Sequence, residues 1–176
     1  MGCASSFSQP KFRSDIPAKT TLLLTTKQKE LIRKSWELLH KRRAEVGVKV
    51  FLTLFEEDPG LQNMFAEFRE VKLEELARTR ELHGHTERVM RAVENCVNAM
   101  DDPDSLRAYL TELGRRHVYR SVKPTVSNLH LISKALISTF KETIQDEWTP
   151  ELAAAWELLL NYFTLMLKEG IRSTVD

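Results

Sequence analysis

Apolar side chains recur every three or four residues along nearly the whole chain between positions 25 and 172. This spacing places them on one face of an α-helix, whereas a half-buried strand would show alternation at every second residue. Strand-like alternation does not compete with the helical spacing in any segment. The pattern therefore restricts the chain to an all-α fold, in which each helix buries its apolar face against other helices.

Capping and turn residues divide this pattern into separate helices. Thr25, with Gln28 three residues later, predicts a capping box at the start of the first helix. Asp104 or Ser105 is expected to cap the helix that ends near position 117, and Thr149 the last one. The predicted helices begin at position 25, cover 44–57, 71–100, 106–117 and about 129–144, and resume at position 150, with a short helical corner at 61–68.

The composition indicates one globular domain with short tails. With 42% hydrophobic and 29% charged residues, the chain can bury a core of ordinary size. We expect a flexible N-terminal tail at 1–24, one domain at 25–172 and a C-terminal tail at 173–176. The 26 basic and 25 acidic residues are interspersed, so nucleic acid is not an expected partner. Cys3 and Cys96 lie far apart, which favours a reducing cytosolic setting over a disulfide scaffold.

The N-terminus carries a pattern typical of acylated proteins. After loss of Met1, Gly2 would accept a myristoyl amide, with a hydroxyl residue following at Ser6, and the adjacent Cys3 would accept a palmitoyl chain. One myristoyl chain binds a bilayer only marginally, whereas two chains anchor a protein stably. No apolar run is long enough to span a bilayer. The sequence thus predicts attachment to the cytoplasmic face of a membrane, the plasma membrane being expected, without a transmembrane span.

Two histidines lie on apolar helix faces. His117 ends the apolar stripe of the segment 106–117, and His85 falls on the inward face of the preceding helix, whereas His83 does not. A single histidine in such a place is more often a core residue. Two on consecutive helices can point into one crevice and offer two imidazoles to an iron ion, with apolar neighbours that suit a flat macrocycle. Structural zinc is disfavoured, because His83, His85 and Cys96 do not make a tetrahedral set.

Several motifs together resemble the globin family over about 25–172. Trp36 is similar to the tryptophan of the family's first helix, and Trp156 to the aromatic residue of its last. The stretch Leu113-Gly114-Arg115-Arg116-His117 resembles the proximal segment. Further matching residues are Asp58-Pro59 with Phe65 and Phe68 at the following corner, and His85 with Val89 in the distal helix. The runs HTERVMRAV and LGRRH look most like the neuroglobin and globin X branch, to which the Met-Gly-Cys start is also similar.

This resemblance implies a globin fold of about eight helices around a haem pocket, with haem b as cofactor. His117 would be the proximal iron ligand and His85 the distal one, while Arg88 could reach a haem propionate. Some globins carry a tyrosine where this chain has Phe51, so His85 would be the main polar distal group. The residues expected to line the cofactor are Phe51, Phe65, Arg88, Val89, Leu113 and Val122.

Two questions remain open at the level of sequence. His85 could coordinate the iron, which makes the haem six-coordinate, or could only donate a hydrogen bond to bound oxygen. The function could be reversible binding of oxygen, nitric oxide and carbon monoxide for storage or transport, or redox chemistry such as electron transfer or nitrite reduction with an unknown reductant. A third class is a haem-free helical protein tethered to a membrane. Membrane attachment favours a redox, signalling or lipid-protecting role, because oxygen storage needs no anchor.

Overall fold

The computed structural model describes residues 21–119 and 126–174, and these residues form helices joined by short turns. No strand occurs among them, which confirms the all-α prediction. The helices are α1 (Thr26–His40), α2 (Arg43–Glu57), α3 (Pro59–Asn63), α4 (Leu73–Leu76), α5 (Arg80–Asn98), α6 (Pro103–Val118), α7 (Val126–Ile144) and α8 (Pro150–Arg172), with a 3₁₀ turn at Gln145–Glu147. Within the described part of the chain, none of these helices is long and apolar enough to cross a membrane.

Side-chain caps mark the starts of several helices. At α1, the Thr25 hydroxyl accepts from the Gln28 amide while the Gln28 side chain accepts from the Thr25 amide, so the predicted capping box is confirmed. Thr149 caps α8 as predicted. The predicted cap of α6 is wrong: Asp102, rather than Asp104 or Ser105, is the N-cap residue and accepts from the Ser105 amide. The helix starts one residue later, at a proline, whose missing N–H costs nothing in the first turn.

The segment 71–100 is two helices rather than the single one predicted. The Thr79 hydroxyl donates to the Leu76 carbonyl at the end of α4 and accepts from the Leu82 amide at the start of α5. A threonine side chain that bonds nearby backbone groups offers the chain an alternative to helix continuation, and apolar spacing does not reveal this. The break lets α5 take its own direction across α2.

The core is formed where α6, α7 and α1 pack against α8 and where α2 packs against α5 and α7. Its centre is aromatic: the Trp156 ring is fully buried, 4.9 Å from the Phe140 ring and 6.3 Å from the Trp36 ring. The Trp156 indole N–H donates to the Ser35 hydroxyl at 3.0 Å, which satisfies a polar atom that water cannot reach. Most residues of the predicted leucine and aromatic stripes lie in or against this core. Leu38, which the helical spacing also places on the apolar face of α1, is exposed instead.

Candidate functional site

The His85 imidazole on α5 lies against two phenylalanine rings. The centroid of the Phe51 ring, on α2, is 5.0 Å from that of His85, and the two planes are nearly perpendicular at 89°. Phe65, at the corner after α3, lies 5.2 Å from the same imidazole. Phe51 is only 3% exposed, while His85 and Phe65 are half-buried. Edge-to-face packing of this kind holds the imidazole in an apolar surround with one side toward the surface.

A close crossing of α2 and α5 makes this contact possible. A Cβ atom at Gly47 would lie 3.0 Å from the Met90 Cγ atom and 3.1 Å from the Thr86 Cβ atom. Gly47 precedes Phe51 by one helical turn, and Thr86 follows His85 directly. The absence of a side chain at position 47 therefore brings the helix that carries Phe51 up to the helix that carries His85.

The corner that carries Phe65 is held by a buried amide. The Gln62 Nε2 group donates to the carbonyls of Phe68 and Val71, both at 2.7 Å. The Phe65 and Phe68 rings stack at 5.1 Å with an angle of 23°. Gln62 was not among the residues predicted from sequence, although a glutamine in an otherwise apolar corner is a detectable signal, since buried polar groups need partners.

His117 lies in the last turn of α6 and is half-buried. Its Nδ1 atom is 2.7 Å from the Leu113 carbonyl oxygen. Because a carbonyl only accepts, Nδ1 carries the proton and donates, which leaves the lone pair of a neutral imidazole on Nε2. A histidine that ligates a metal ordinarily donates its other N–H in this way, and the bond also orients the ring. The donor chemistry at position 117 thus fits an iron ion.

The other predicted lining residues are placed as follows. Val89 and Leu113 are half-buried and pack against the core. Arg88 is exposed, and its guanidinium makes no ion pair or hydrogen bond within the described ranges 21–119 and 126–174. Val122, Gly2 and Cys3 lie outside the described residues. The structure therefore brings Phe51 and Phe65 to His85, and it joins His117 to Leu113 of its own helix.

The alternative zinc ligands do not share one surface. His83 is exposed, and its Nε2 atom lies 3.0 Å from the Ala77 carbonyl, so it contacts the turn before α5. Cys96 is buried in the core, where burial raises the pKa of its thiol well above the usual range. Among the residues that the structure describes, no group of three or more histidine, cysteine, aspartate or glutamate side chains could hold a metal ion.

The chain is similar in sequence to proteins of a known family. The family model described as Globin matches residues 48–167. Neuroglobin of Tetraodon nigroviridis is 32% identical over 145 residues, which cover 82% of this chain and 88% of the relative. Neuroglobin of Danio rerio is 31% identical over 148 residues, covering 84% and 92%. Cytoglobin-1 of Oryzias latipes is 28% identical over 147 residues, covering 82% of each.

The fold also has a solved counterpart. A hexacoordinated haem protein from an anhydrobiotic tardigrade, crystallised at pH 4, superposes with a TM-score of 0.81 over 86% of this chain and 97% of its own. The two sequences are 22% identical. The arrangement of helices described above is therefore shared with a protein of distant sequence.

Proposed function

Because the chain belongs to the globin family, we propose that it is a haem b protein with His117 as the permanent proximal ligand and His85 as the distal ligand. The observation that carries the proposal is the 2.7 Å hydrogen bond from His117 Nδ1 to the Leu113 carbonyl. This bond keeps the proton on Nδ1 and leaves the lone pair of Nε2 available to coordinate iron. The tardigrade protein of the same fold, itself hexacoordinated, supports the assignment of two axial ligands.

The remaining lining residues would exclude water and orient the cofactor. Phe51 and Phe65 enclose His85 on the distal side, with Val89 one turn further along α5. Leu113, on the helix that carries His117, and Val122 are the other apolar residues expected to line the cofactor. Arg88 is exposed and has no ion pair within the described segments, so its guanidinium remains available for a propionate at the rim.

His85 would act as a competitor for external ligands. Haem iron, when bound, supplies the coordination position for oxygen, nitric oxide or carbon monoxide. The His85 imidazole would have to leave that position first, so apparent affinity falls by the fraction of protein in which His85 is released. The neighbouring rings of Phe51 and Phe65 offer no hydrogen-bond donor. His85 is thus the member of this aromatic cluster that can hydrogen-bond to a gaseous ligand as the ligand enters or leaves.

Absorption spectra of the purified ferrous protein test this assignment. We expect a low-spin bis-histidyl spectrum for the wild type and for His83→Leu, which changes a neighbouring but exposed histidine. His85→Leu should give a high-spin five-coordinate spectrum, and His117→Leu should lose haem during purification. A high-spin ferrous wild type would refute coordination by His85. A haem-free wild type would refute the proposed function itself.

Membrane attachment is a second part of the proposal. Gly2 and Cys3 lie outside the described residues, and the support is the N-terminal pattern, which predicts myristate and palmitate on adjacent residues. Gly2→Ala should move the full-length protein from the membrane to the soluble fraction of eukaryotic cells, and Cys3→Ser should weaken attachment. Ser5→Ala lies at a variable position of the pattern and is the matched control. Equal fractionation of Gly2→Ala and the wild type would overturn this part.

The position at the cytoplasmic face of the plasma membrane favours redox, signalling or lipid-protecting chemistry over oxygen storage. Nitrite turnover with a chemical reductant separates these roles. If His85 controls access, His85→Leu should reduce nitrite faster than the wild type, with His83→Leu unchanged. Equal rates for wild type and His85→Leu would remove His85 as the controlling group, and absence of turnover in both would favour storage or transport.

A further inference from the structure

The contact between α6 and α8 is a direct contact of backbones. A Cβ atom at Gly114 would lie 2.2 Å from the Leu167 carbonyl oxygen, and one at Gly170 would lie 2.0 Å from the Thr111 carbonyl oxygen. Beside this crossing, the Arg107 guanidinium pairs with the Glu169 carboxylate at 2.8 Å. We refer to Gly114, Gly170, Arg107 and Glu169 together as the α6–α8 seam.

A side chain cannot be added at Gly114 or Gly170 without moving a helix. Non-bonded heavy atoms pack at about 3.5 Å or more, so a methyl group at position 170 requires a displacement of about 1.5 Å. The atoms that a methyl group at position 170 would meet all belong to the backbone of α6. After the Thr111 carbonyl oxygen, the next are the Thr111 carbonyl carbon at 2.9 Å and the Arg115 amide nitrogen at 3.0 Å. The two glycines therefore determine how close α6 lies to α8.

The same turn of α6 orients His117. Leu113, whose carbonyl accepts from the His117 imidazole, directly precedes Gly114. Thr111 and Arg115, whose backbone atoms face Gly170, lie on either side of that pair in the chain. A binding constellation tolerates errors of about 0.5 Å, which is smaller than the displacement a methyl group would impose.

We propose that the α6–α8 seam positions His117, so that Gly114 and Gly170 are positioning residues for the axial ligand rather than only packing residues. The inference rests on the proposed function, because it concerns the ligand role of His117. It goes beyond that function by assigning control of the proximal ligand to α8, a helix that carries no predicted haem contact.

The test combines haem loss with a spectroscopic signature of the His117 bond. In holoprotein, Gly170→Ala should transfer haem to an excess of acceptor apomyoglobin about 10-fold to 100-fold faster than the wild type, the range typical for loss of a supporting group around a metal ligand. In a His85→Leu background, where His117 is the remaining axial ligand, the iron–imidazole stretching band in ferrous resonance Raman spectra should shift on addition of Gly170→Ala. Gly114→Ala should act in the same direction.

Two other glycines supply the controls. Gly84→Ala adds a methyl group whose nearest neighbour is the Arg88 Nη1 atom at 3.8 Å, an ordinary contact on α5, so the His117 band should be unchanged. Gly47→Ala lies at the α2–α5 crossing and should lower thermal stability while leaving the His117 band unmoved. The inference would be overturned if Gly170→Ala lowered thermal stability, as Gly47→Ala does, but changed neither the rate of haem loss nor the position of the band.

A milder variant covers the case in which Gly170→Ala does not fold. Arg107→Gln removes the ion pair of the seam without adding atoms at the crossing, and it should shift the band in the same direction by a smaller amount. A folded Arg107→Gln protein with an unchanged band would then overturn the inference. A wild type without haem would instead refute the proposed function, so the two failures are distinguishable.

Discussion

Gln62 offers a direct measurement of what holds the corner beside His85. Its side chain is 9% exposed and donates two hydrogen bonds of 2.7 Å, one to the Phe68 carbonyl and one to the Val71 carbonyl. Gln62→Met keeps the length of the side chain and removes both donors. The change therefore tests the polar contacts without leaving a large cavity.

The two bonds differ in what their loss costs. The Phe68 carbonyl also accepts from the Val71 amide at 3.2 Å, so it keeps one partner. The Val71 carbonyl is only partly buried, so water can replace the lost donor in part. At about 0.5–1.5 kcal/mol for each bond, we expect Gln62→Met to lower the free energy of unfolding by about 2 kcal/mol. For a chain of this size this corresponds to a decrease in Tm of about 4–8 °C.

Urea denaturation of the wild type and the variant, followed by circular dichroism, measures this difference. Asn63→Ala changes the adjacent exposed amide and should stay within about 0.5 kcal/mol of the wild type. A Gln62→Met protein within that same margin would show that the corner does not depend on the amide. The apolar contacts of Phe65 and Phe68 would then be sufficient to hold it.

Three further outcomes follow from other parts of the structure. Ser35→Ala leaves the buried Trp156 indole N–H without its acceptor and should cost about 1–3 kcal/mol in urea denaturation, and a loss below about 0.5 kcal/mol would contradict this. Cys96, whose thiol pKa is raised by burial, should resist iodoacetamide in native Cys3→Ser protein and react fully in urea; rapid native labelling would contradict its burial. A lysine and an arginine of α1 lower the pKa of Asp101, so its carboxylate stabilises the fold at neutral pH and this contribution is lost as the pH falls through that lowered pKa. Asp101→Asn should thus have a lower Tm than the wild type at neutral pH, and the difference should shrink as the pH falls below the ordinary range of aspartate; a difference independent of pH would refute the electrostatic origin.

The fold class and the two candidate ligands were accessible from sequence because they depend on local periodicity. Helical spacing alone predicted that His85 faces inward and His83 does not. In the structure His85 packs against two aromatic rings, and His83 is exposed. Capping chemistry is equally local, and the starts of α1 and α8 were predicted from Thr25 and Thr149. Where local signals compete, as at Thr79 between α4 and α5, apolar spacing predicted one helix and the structure has two.

By itself, the sequence determined that the chain is all-helical, that it resembles a globin and that His85 and His117 are the candidate ligands. The tertiary structure decided which atoms position those ligands: the Leu113 carbonyl orients His117, and Gln62 holds the corner that carries Phe65. It also decided how closely α6 approaches α8 at Gly114 and Gly170. These features arise from the direction of a single imidazole, from a side chain that bonds the backbone of the corner next to it, or from the separation of two helices far apart in the chain. Periodicity carries no information about either, because it specifies the face of a helix but not the partner or the separation.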